Sequence, residues 1–380
     1  MTFFFIAFFF IAFIFSILIN GLFLRLSMTL GIRDKKETVI RWASSSKPAL
    51  GGISFFIVFL ISLASYSIFF ETQEVLLNKK VLGLLCTVTL AFMMGLADDA
   101  YNTRPFLKLF VQILCGLILC YSGVFIGIFP NMMLNYLLTI IWVVGIMNSL
   151  NMLDNMDAIS TIVSISIFSS ALMLLAIAGY QNNIHFLILI GTIASLSGFL
   201  LFNWHPSKLF MGDTGSQILG LLLSVIGIVY FWNDSTSFND TISISRQILM
   251  VAVAFVLPIA DTTIVIINRL LKQSSPFIGG KDHTTHHLFY RGLTEKRIAI
   301  LFALIGMASA CLIYFIETKI PSWSLDDFLL ISIFPVGIFA SLFIITLMKG
   351  NIIQQTPSLN QSPAECLDNE NINHAKKYSI

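Results

Sequence analysis

The chain has 380 residues, of which 57% are apolar and only 11% charged, with a formal net charge of +2. A water-soluble domain covers its surface with about 25% charged residues, so this composition excludes an ordinary soluble fold. The small net charge is uninformative, but the chain has no basic tract of the kind that marks a nucleic-acid-binding protein. The five cysteines form no CxxC pair and four lie in apolar segments, which indicates neither a disulfide framework nor a zinc site.

Eleven apolar segments approach the roughly 20 residues that a membrane-spanning helix needs. They cover residues 3–24, 50–70, 80–97, 106–127, 134–152, 159–179, 184–202, 215–232, 246–267, 298–316 and 327–348. The first is longer than the apolar core of a signal peptide and follows no charge, so we expect it to be retained. The sequence predicts an all-α polytopic membrane protein, with one domain over residues 1–350 and a polar, disordered tail over 351–380.

The distribution of Lys and Arg predicts the orientation of these helices, because cytoplasmic loops are enriched in both. With the N-terminus outside, 18 of the 22 basic residues fall on the cytoplasmic side. We therefore predict an outside N-terminus and a cytoplasmic C-terminus. This orientation places four polar clusters on the cytoplasmic side, although none of them was used to derive it.

The first cluster is the pair Asp98 and Asp99, at the end of the third predicted span. Adjacent carboxylates repel each other unless a cation lies nearby. Magnesium is a suitable cation, since it binds one or two carboxylates together with substrate phosphates. Two solvated charges at a helix end would explain such a pair equally well.

The second cluster places a polar residue at every third position, which keeps the side chains near one face of a helix. Its members are Asn148, Asn151, Asp154 and Asp157. A stripe of this kind at a membrane helix end needs a polar partner or a wet cavity. Amides suit a nucleobase or ribose, and carboxylates suit a metal, a hydroxyl or a proton. The alternative is a polar stripe that packs helices together.

The third cluster runs from Asn203 to Gly212 and Asp213, at the start of a predicted span. Glycine allows a ligand to approach the backbone closely, and a helix N-terminus favours phosphate. The alternative is a helix cap formed by the aspartate.

The fourth cluster lies in a basic loop and contains Lys281, His283, His286 and His287. These side chains suit phosphate binding, whereas the histidine spacing fits no standard zinc finger. A solvated loop that follows the positive-inside rule explains the basic residues but not the density of histidines.

Together, the clusters supply the groups that phosphoryl transfer requires: carboxylates for a metal, amides for a nucleotide, and a cationic loop. Their order resembles the polyprenyl-phosphate N-acetylhexosamine-1-phosphate transferases. The resemblance extends from about residue 48, where Pro48 precedes Gly51 and Gly52, to about residue 297. It rests on GLADD (95–99), NSLNMLDNMD (148–157), FNWHPSKLFMGDTGS (202–216) and KDHTTHH (281–287).

This resemblance implies magnesium-dependent transfer of a phospho-sugar from a UDP-N-acetylhexosamine to undecaprenyl phosphate, with release of UMP and with Mn²⁺ as a substitute ion. It implies catalytic roles for Asp98, Asp99, Asp154, Asp157, His286 and His287. Substrate contacts fall to Asn148, Asn151, Asn203, Gly212, Lys281 and His283. The metal ligands are Asp213 and Asp98, and Asp98 acts as a base or as a nucleophile. Asn155 and Ala158 replace glycines of the family, and Thr284 replaces a histidine.

The looser histidine loop resembles the branch that uses UDP-GlcNAc and initiates O-antigen, enterobacterial or teichoic-acid-like glycans at the bacterial cytoplasmic membrane. Transfer of phospho-MurNAc-pentapeptide in peptidoglycan synthesis is the alternative within the family. An ion-coupled transporter or a silent scaffold is the alternative outside it. Contact with membrane lipid follows from the composition, while the sequence leaves open whether the protein forms a homodimer.

Overall fold

The computed structural model describes residues 1–29, 48–70, 78–233, 244–275 and 280–348. Within these ranges the regular structure is helical, apart from one isolated β-bridge between Ala49 and Phe210. The all-α prediction is therefore confirmed. The predicted tail over 351–380 lies outside the described residues.

The described residues form thirteen helices. They are α1 (Thr2–Thr29), α2 (Gly51–Phe69), α3 (Lys79–Tyr101), α4 (Pro105–Tyr121), α5 (Met132–Leu153), α6 (Ile159–Ile177), α7 (Ile184–Asn203), α8 (Gly212–Ile226), α9 (Ile244–Ala254), α10 (Val256–Leu271), α11 (Thr284–Tyr290), α12 (Glu295–Lys319) and α13 (Leu325–Leu347). A π-helical segment, Gly227–Trp232, continues α8. In this part of the chain nine helices, α8 with its extension included, are long and apolar enough to cross a membrane, and α9 with α10 would make a tenth.

Two predicted spans differ from the helices that form. The segment predicted over 106–127 becomes the short helix α4, which ends because Gly123 adopts a left-handed conformation with φ 83°. The segment predicted over 246–267 bends by 81° between α9 and α10. Pro258 explains the bend, because proline cannot donate a backbone hydrogen bond to the carbonyl of Ala254.

Helix α8 and its π-helical extension lie at the centre of the bundle and are almost entirely buried, whereas few residues of α13 are buried. Glycines let neighbouring helices approach α8 closely. A Cβ atom on Gly95 of α3 would lie 2.5 Å from the carbonyl oxygen of Asp213, and one on Gly52 of α2 would overlap the backbone of Gly215. The ends of α2 and α3 are thus held directly against the first turn of α8.

Candidate active site

All four polar clusters contribute to one cavity of about 290 Å³ at a common end of the helices. The residues that line it are Ala49, Asp99, Asn151, Asp154, Asn155, Met156, Asp157, Asn203, Phe210, Gly212, Asp213, Gly280, Lys281 and His286. Segments that are far apart in sequence therefore converge, as the sequence analysis expected of a shared site.

One lysine connects two acidic residues where α3, α4 and α8 meet beside the cavity, and of these three residues only Asp213 is among the described residues that line it. Lys108 Nζ lies 3.1 Å from Asp98 Oδ2 and 2.9 Å from Asp213 Oδ1. The backbone N–H of Thr103 donates to Asp98 Oδ1 over 2.9 Å, and the Thr103 hydroxyl donates to the same oxygen. Two carboxylates thus share a single positive charge.

Sequence reasoning missed Lys108, because it counted this residue only among the loop charges. The signal that could have found it was a charged residue at the start of an apolar helix, which is rare unless the charge has a partner or a function.

Asn151 extends this network from the end of α5. Its amide group donates to Asp213 Oδ1 and, over 2.9 Å, to Ser216 Oγ. Asn148, one turn earlier, exchanges hydrogen bonds with Gln112, and Gln112 also contacts Gln217 over 3.0 Å. Asn148 is not among the described residues that line the cavity, so the structure brings together Asn151, but not Asn148, with the acids.

Asp99 anchors the first turn of α8. Its carboxylate accepts the backbone N–H groups of Asp213 and Thr214, both over 2.8 Å, and the Thr214 hydroxyl over 2.6 Å. Gly212 adopts φ 76°, and a Cβ atom there would lie 2.7 Å from Asp99 Oδ2. The N–H groups that the sequence analysis offered to phosphate are therefore directed at Asp99, which is the favourable place for an anion near a helix dipole.

Asp154 lies in the turn between α5 and α6 and accepts a hydrogen bond from the Ser160 hydroxyl over 2.6 Å. Its pKa is raised to about 7, chiefly by loss of hydration on burial and also by the nearby carboxylates of Asp213, Asp99 and Asp157. This carboxyl group therefore changes protonation state close to neutral pH.

Asn203 ties the α5–α6 turn to the loop that leads into α8. Its side-chain oxygen accepts the N–H of Ala158 and the hydroxyl of Thr161, both over 3.0 Å, and its amide donates to the carbonyl of Leu209 over 3.1 Å. Ala158 adopts a left-handed conformation with φ 68°, which costs a non-glycine residue about 1–2 kcal/mol. Asn203 thus stabilises a strained turn in the cavity wall.

Asp157 fastens the loop that follows α7. One of its oxygens accepts the N–H of Ser207 over 2.9 Å and lies 3.0 Å from His205 Nδ1, and the other accepts the Ser207 hydroxyl over 2.7 Å. Its side chain is only 8% exposed. These contacts hold the loop of residues 204–211 in place beside the cavity.

Two further acids hold the histidine loop in place, Asp261 from behind it and Asp282 from within it. Asp261 of α10 lies 2.9 Å from His283 Nδ1, and it accepts the N–H and hydroxyl of Thr284 over 2.9 and 2.6 Å. Asp282 forms two hydrogen bonds of 2.7 Å with Arg269. Burial alone would raise the pKa of Asp282, but the hydrogen bonds and charge of Arg269 lower it below its usual value.

Sequence reasoning missed Asp261, although an acid inside a predicted membrane span is a signal for a functional residue. The same contacts direct His283 toward Asp261, and His283 is not among the described residues that line the cavity.

His286 faces the cavity as a neutral imidazole. Its pKa is lowered to about 3, chiefly by burial and also by the nearby His283. The N–H of His283 donates to His286 Nδ1 over 3.3 Å, so the proton of the neutral ring belongs on Nε2.

His287 lies outside the described lining of the cavity. Its pKa is lowered by burial and then by nearby Lys272. The structure therefore brings His286 and Lys281, but not His287, to the acids of the other three clusters.

Asn155 and Thr284 are two positions at which this chain differs from the family that it resembles, and they lie in segments that contact each other. The Thr285 hydroxyl donates to the side-chain oxygen of Asn155 over 2.6 Å, and the Asn155 amide donates to the carbonyl of Met152 over 2.8 Å. Thr285 is fully buried, whereas Asn155 lines the cavity. This hydrogen bond joins the α5–α6 turn directly to the histidine loop.

Comparison with known proteins places these features in a family context. Residues 81–231 match the model of glycosyl transferase family 4. The chain is 28% identical over 299 residues to a probable undecaprenyl-phosphate N-acetylglucosaminyl 1-phosphate transferase of Bacillus subtilis, covering 76% of this chain and 78% of the relative.

Two further relatives are named phospho-N-acetylmuramoyl-pentapeptide-transferase. The protein of Streptococcus pyogenes is 34% identical over 216 residues, covering 49% of this chain and 60% of the relative. The protein of Streptococcus thermophilus is 25% identical over 344 residues, covering 82% and 87%. The matched family segment contains Asp98, Asp99, Asp154 and Asp213 in the arrangement described above. The chain is a multi-pass membrane protein, and its residues 81–231 are similar to glycosyl transferase family 4.

Proposed function

We propose that this protein transfers N-acetylhexosamine 1-phosphate, specifically GlcNAc 1-phosphate, from a UDP-sugar to undecaprenyl phosphate. An oxygen of the lipid phosphate forms a bond to the sugar-bearing phosphorus, the pyrophosphate P–O bond breaks, and UMP leaves with the bridging oxygen. The observation that carries this proposal is the single cavity in which acids, amides, Lys281 and His286 converge. The named activities of the relatives support it.

Asp98 and Asp213 are the residues that would hold Mg²⁺, with Mn²⁺ as a substitute. Two observations support this fit: their carboxylate oxygens are the ligands that Mg²⁺ prefers, and the ammonium group of Lys108 already lies between them as a cation. When bound, the ion would supply charge stabilisation at the pyrophosphate oxygens.

The residues of the chain itself orient the reactants and stabilise developing charge. His286 is placed to donate a hydrogen bond from Nε2 to a phosphate oxygen, because its Nδ1 is occupied by the N–H of His283. Lys281 supplies a positive charge on the same side of the cavity. Preorganised donors of this kind are effective because they need not reorient during the reaction.

A one-step displacement agrees best with the contacts of Asp98. Its oxygens accept hydrogen bonds from Thr103 and from Lys108, which supports a role in holding the cation and opposes a role as nucleophile. A phosphate monoester with a second pKa near 6 is mostly dianionic at neutral pH, so the lipid phosphate needs little help from a base.

The reaction would take place on the cytoplasmic face of the bacterial cytoplasmic membrane. The bias of 18 of 22 basic residues toward one side supports this orientation. Phospho-MurNAc-pentapeptide is the second candidate for the transferred group, and the streptococcal relatives support it. GlcNAc 1-phosphate is preferred because, of the relatives above that match over three quarters or more of both chains, the Bacillus protein has the higher identity, 28% against 25%.

The test is UMP release by the detergent-purified protein with undecaprenyl phosphate and Mg²⁺. UDP-GlcNAc, UDP-GalNAc and UDP-MurNAc-pentapeptide are supplied in parallel. Release that depends on both lipid and Mg²⁺, with UDP-GlcNAc alone, is expected. Release only with UDP-MurNAc-pentapeptide would select the second candidate, and no release from folded protein would overturn the transferase proposal.

A further inference from the structure

A mixed cluster of two carboxylates and one imidazole lies next to the cavity. Asp157 Oδ2 and Glu295 Oε2 each lie 3.0 Å from His205 Nδ1, and the three atoms lie within 4.8 Å of one another. We propose that Asp157, His205 and Glu295 bind a divalent transition-metal ion of the Zn²⁺ class, at a site distinct from Asp98 and Asp213.

The spacing of the three donor atoms agrees with metal coordination. Zinc binds imidazole nitrogen and carboxylate oxygen at about 2.0–2.2 Å in a tetrahedral arrangement, so neighbouring ligand atoms are roughly 3.4 Å apart. Both nitrogen-to-oxygen distances in the cluster are 3.0 Å, and all three atoms lie within 4.8 Å of one another. Small rotations of the side chains would therefore let one ion contact all three atoms.

A bound cation explains the arrangement of these three atoms better than a hydrogen bond alone. The Nδ1 atom of an imidazole carries at most one proton, yet here it lies equally close to two carboxylate oxygens. A dication between the three atoms would neutralise both carboxylates and accept the lone pair of the ring nitrogen.

The carboxylate of Asp157 is already oriented for coordination. Ser207 donates to it twice, from its N–H over 2.9 Å and from its hydroxyl over 2.7 Å. Hydrogen bonds of this kind commonly fix ligating carboxylates in metal sites. The side chains of Asp157 and Glu295 are 8% and 14% exposed, and that of His205 is 33% exposed, so an ion can enter from solvent and still be largely enclosed.

The donor set distinguishes this site from the one proposed for magnesium. Imidazole favours zinc, iron, nickel or copper, whereas magnesium prefers oxygen ligands. His205 and Glu295 are also not among the described residues that line the cavity. The two sites can therefore be separated by the identity of the ion.

An ion at this place would connect three segments of the active site. Asp157 precedes α6, His205 belongs to the loop that leads to Asp213, and Glu295 begins α12 just after the histidine loop. The ion would act as a cross-link between these segments, and its binding should stabilise the folded protein by mass action.

The test uses the full chain. Bound metal is first removed, and excess Mg²⁺ is then added back to saturate the magnesium site proposed at Asp98 and Asp213. Equilibrium dialysis with Zn²⁺ should give one tightly bound equivalent and a higher thermal midpoint. His205→Asn and Glu295→Gln should each weaken this binding at least about tenfold, while Asp326→Asn, an exposed carboxylate on α13, should leave it unchanged. Equal binding by all four proteins, or no binding by the wild type, would overturn the proposal.

His205→Cys with Co²⁺ provides a second measurement that does not depend on loss of binding. A thiolate at position 205 should produce a new sulfur-to-cobalt charge-transfer band, compared with the wild type carrying its own cysteines. If the folded variant gives no such band, no ion binds at position 205. Neither measurement requires turnover, so a negative result here leaves the transferase proposal untouched.

Discussion

Carboxylates occur on both sides of the cavity but do different things on each. On the acid side, Asp98 and Asp213 share the ammonium of Lys108. On the histidine side, Asp261 of α10 accepts hydrogen bonds from loop residues, and Asp282 within the loop accepts them from Arg269. The donors around a carboxylate, rather than its presence in a motif, therefore distinguish a residue that contacts a cation from one that positions its neighbours.

The largest expected effect comes from the acid side. Asp213→Asn should reduce UMP release about 1000-fold, because it removes a charge that would hold the ion in the transition state. Folding should be retained, since asparagine preserves the size of the side chain. Asp326→Asn on α13 is the matched control. A loss of less than tenfold for Asp213→Asn would contradict the assignment.

Lys108→Met should reduce UMP release about 100-fold and should change how the rate depends on magnesium. Lys108 competes with the ion for Asp98 and Asp213, so its removal should lower the Mg²⁺ concentration that gives half-maximal rate. A magnesium titration of wild type and variant measures both effects. An unchanged half-saturating concentration would show that lysine and ion do not share these carboxylates.

On the histidine side, Asp261→Asn should reduce UMP release only about tenfold, because the change weakens hydrogen bonds by about 1–2 kcal/mol without touching the cation site. The half-saturating Mg²⁺ concentration should stay at the wild-type value. The same magnesium titration is run in parallel on Lys108→Met, so that the two variants can be compared directly. A changed half-saturating Mg²⁺ concentration in Asp261→Asn would show that the histidine side also affects the cation site.

The hydrogen bond between Asn155 and Thr285 connects the two sides, so its loss should have a smaller effect. Asn155→Ala and Thr285→Val should each reduce UMP release by roughly threefold, about the net value of one hydrogen bond. The double variant should be no worse than either single variant, because both remove the same interaction. Fully additive losses would indicate that the two residues act independently.

The smallest effect concerns pH and stability. The pKa of Asp154 is raised by burial to about 7 in the folded protein, compared with about 3.9 when unfolded. The folded state therefore binds more protons, and its stability should fall as pH rises from about 4 to about 7. Asp154→Asn should flatten this part of the curve of thermal midpoint against pH, measured without added metal. Superimposable curves would contradict the raised pKa.

Much of the fold could be predicted, because apolar segments about 20 residues long report directly on membrane helices. All eleven predicted segments coincide with helices or with the bent pair α9–α10. The bend itself was missed, since hydropathy does not register the missing hydrogen bond at Pro258. The number of spans and their orientation remain predictions.

The composition of the cavity could also be predicted in part. Motif spacing identified Asp99, Asn151, Asp154 and Asp213 as site residues, and all four line the cavity. Lys108 and Asp261 escaped notice because each stands alone in an apolar segment, with partners supplied by another helix. The neutral state of His286 could not be predicted either, since it depends on burial and on the N–H of His283.

The close contact at Gly95 has a consequence for the way this protein tolerates variation. Asp98 on α3 and Asp213 on α8 can lie close together because Gly95 has no Cβ atom. A Cβ at this position would lie 2.5 Å from the carbonyl oxygen of Asp213. In a survey of every single substitution, Gly95 and Gly52 should therefore be as intolerant as the acids themselves. Neither glycine offers a functional group, so a map of essential positions will include residues whose contribution is the space they leave empty.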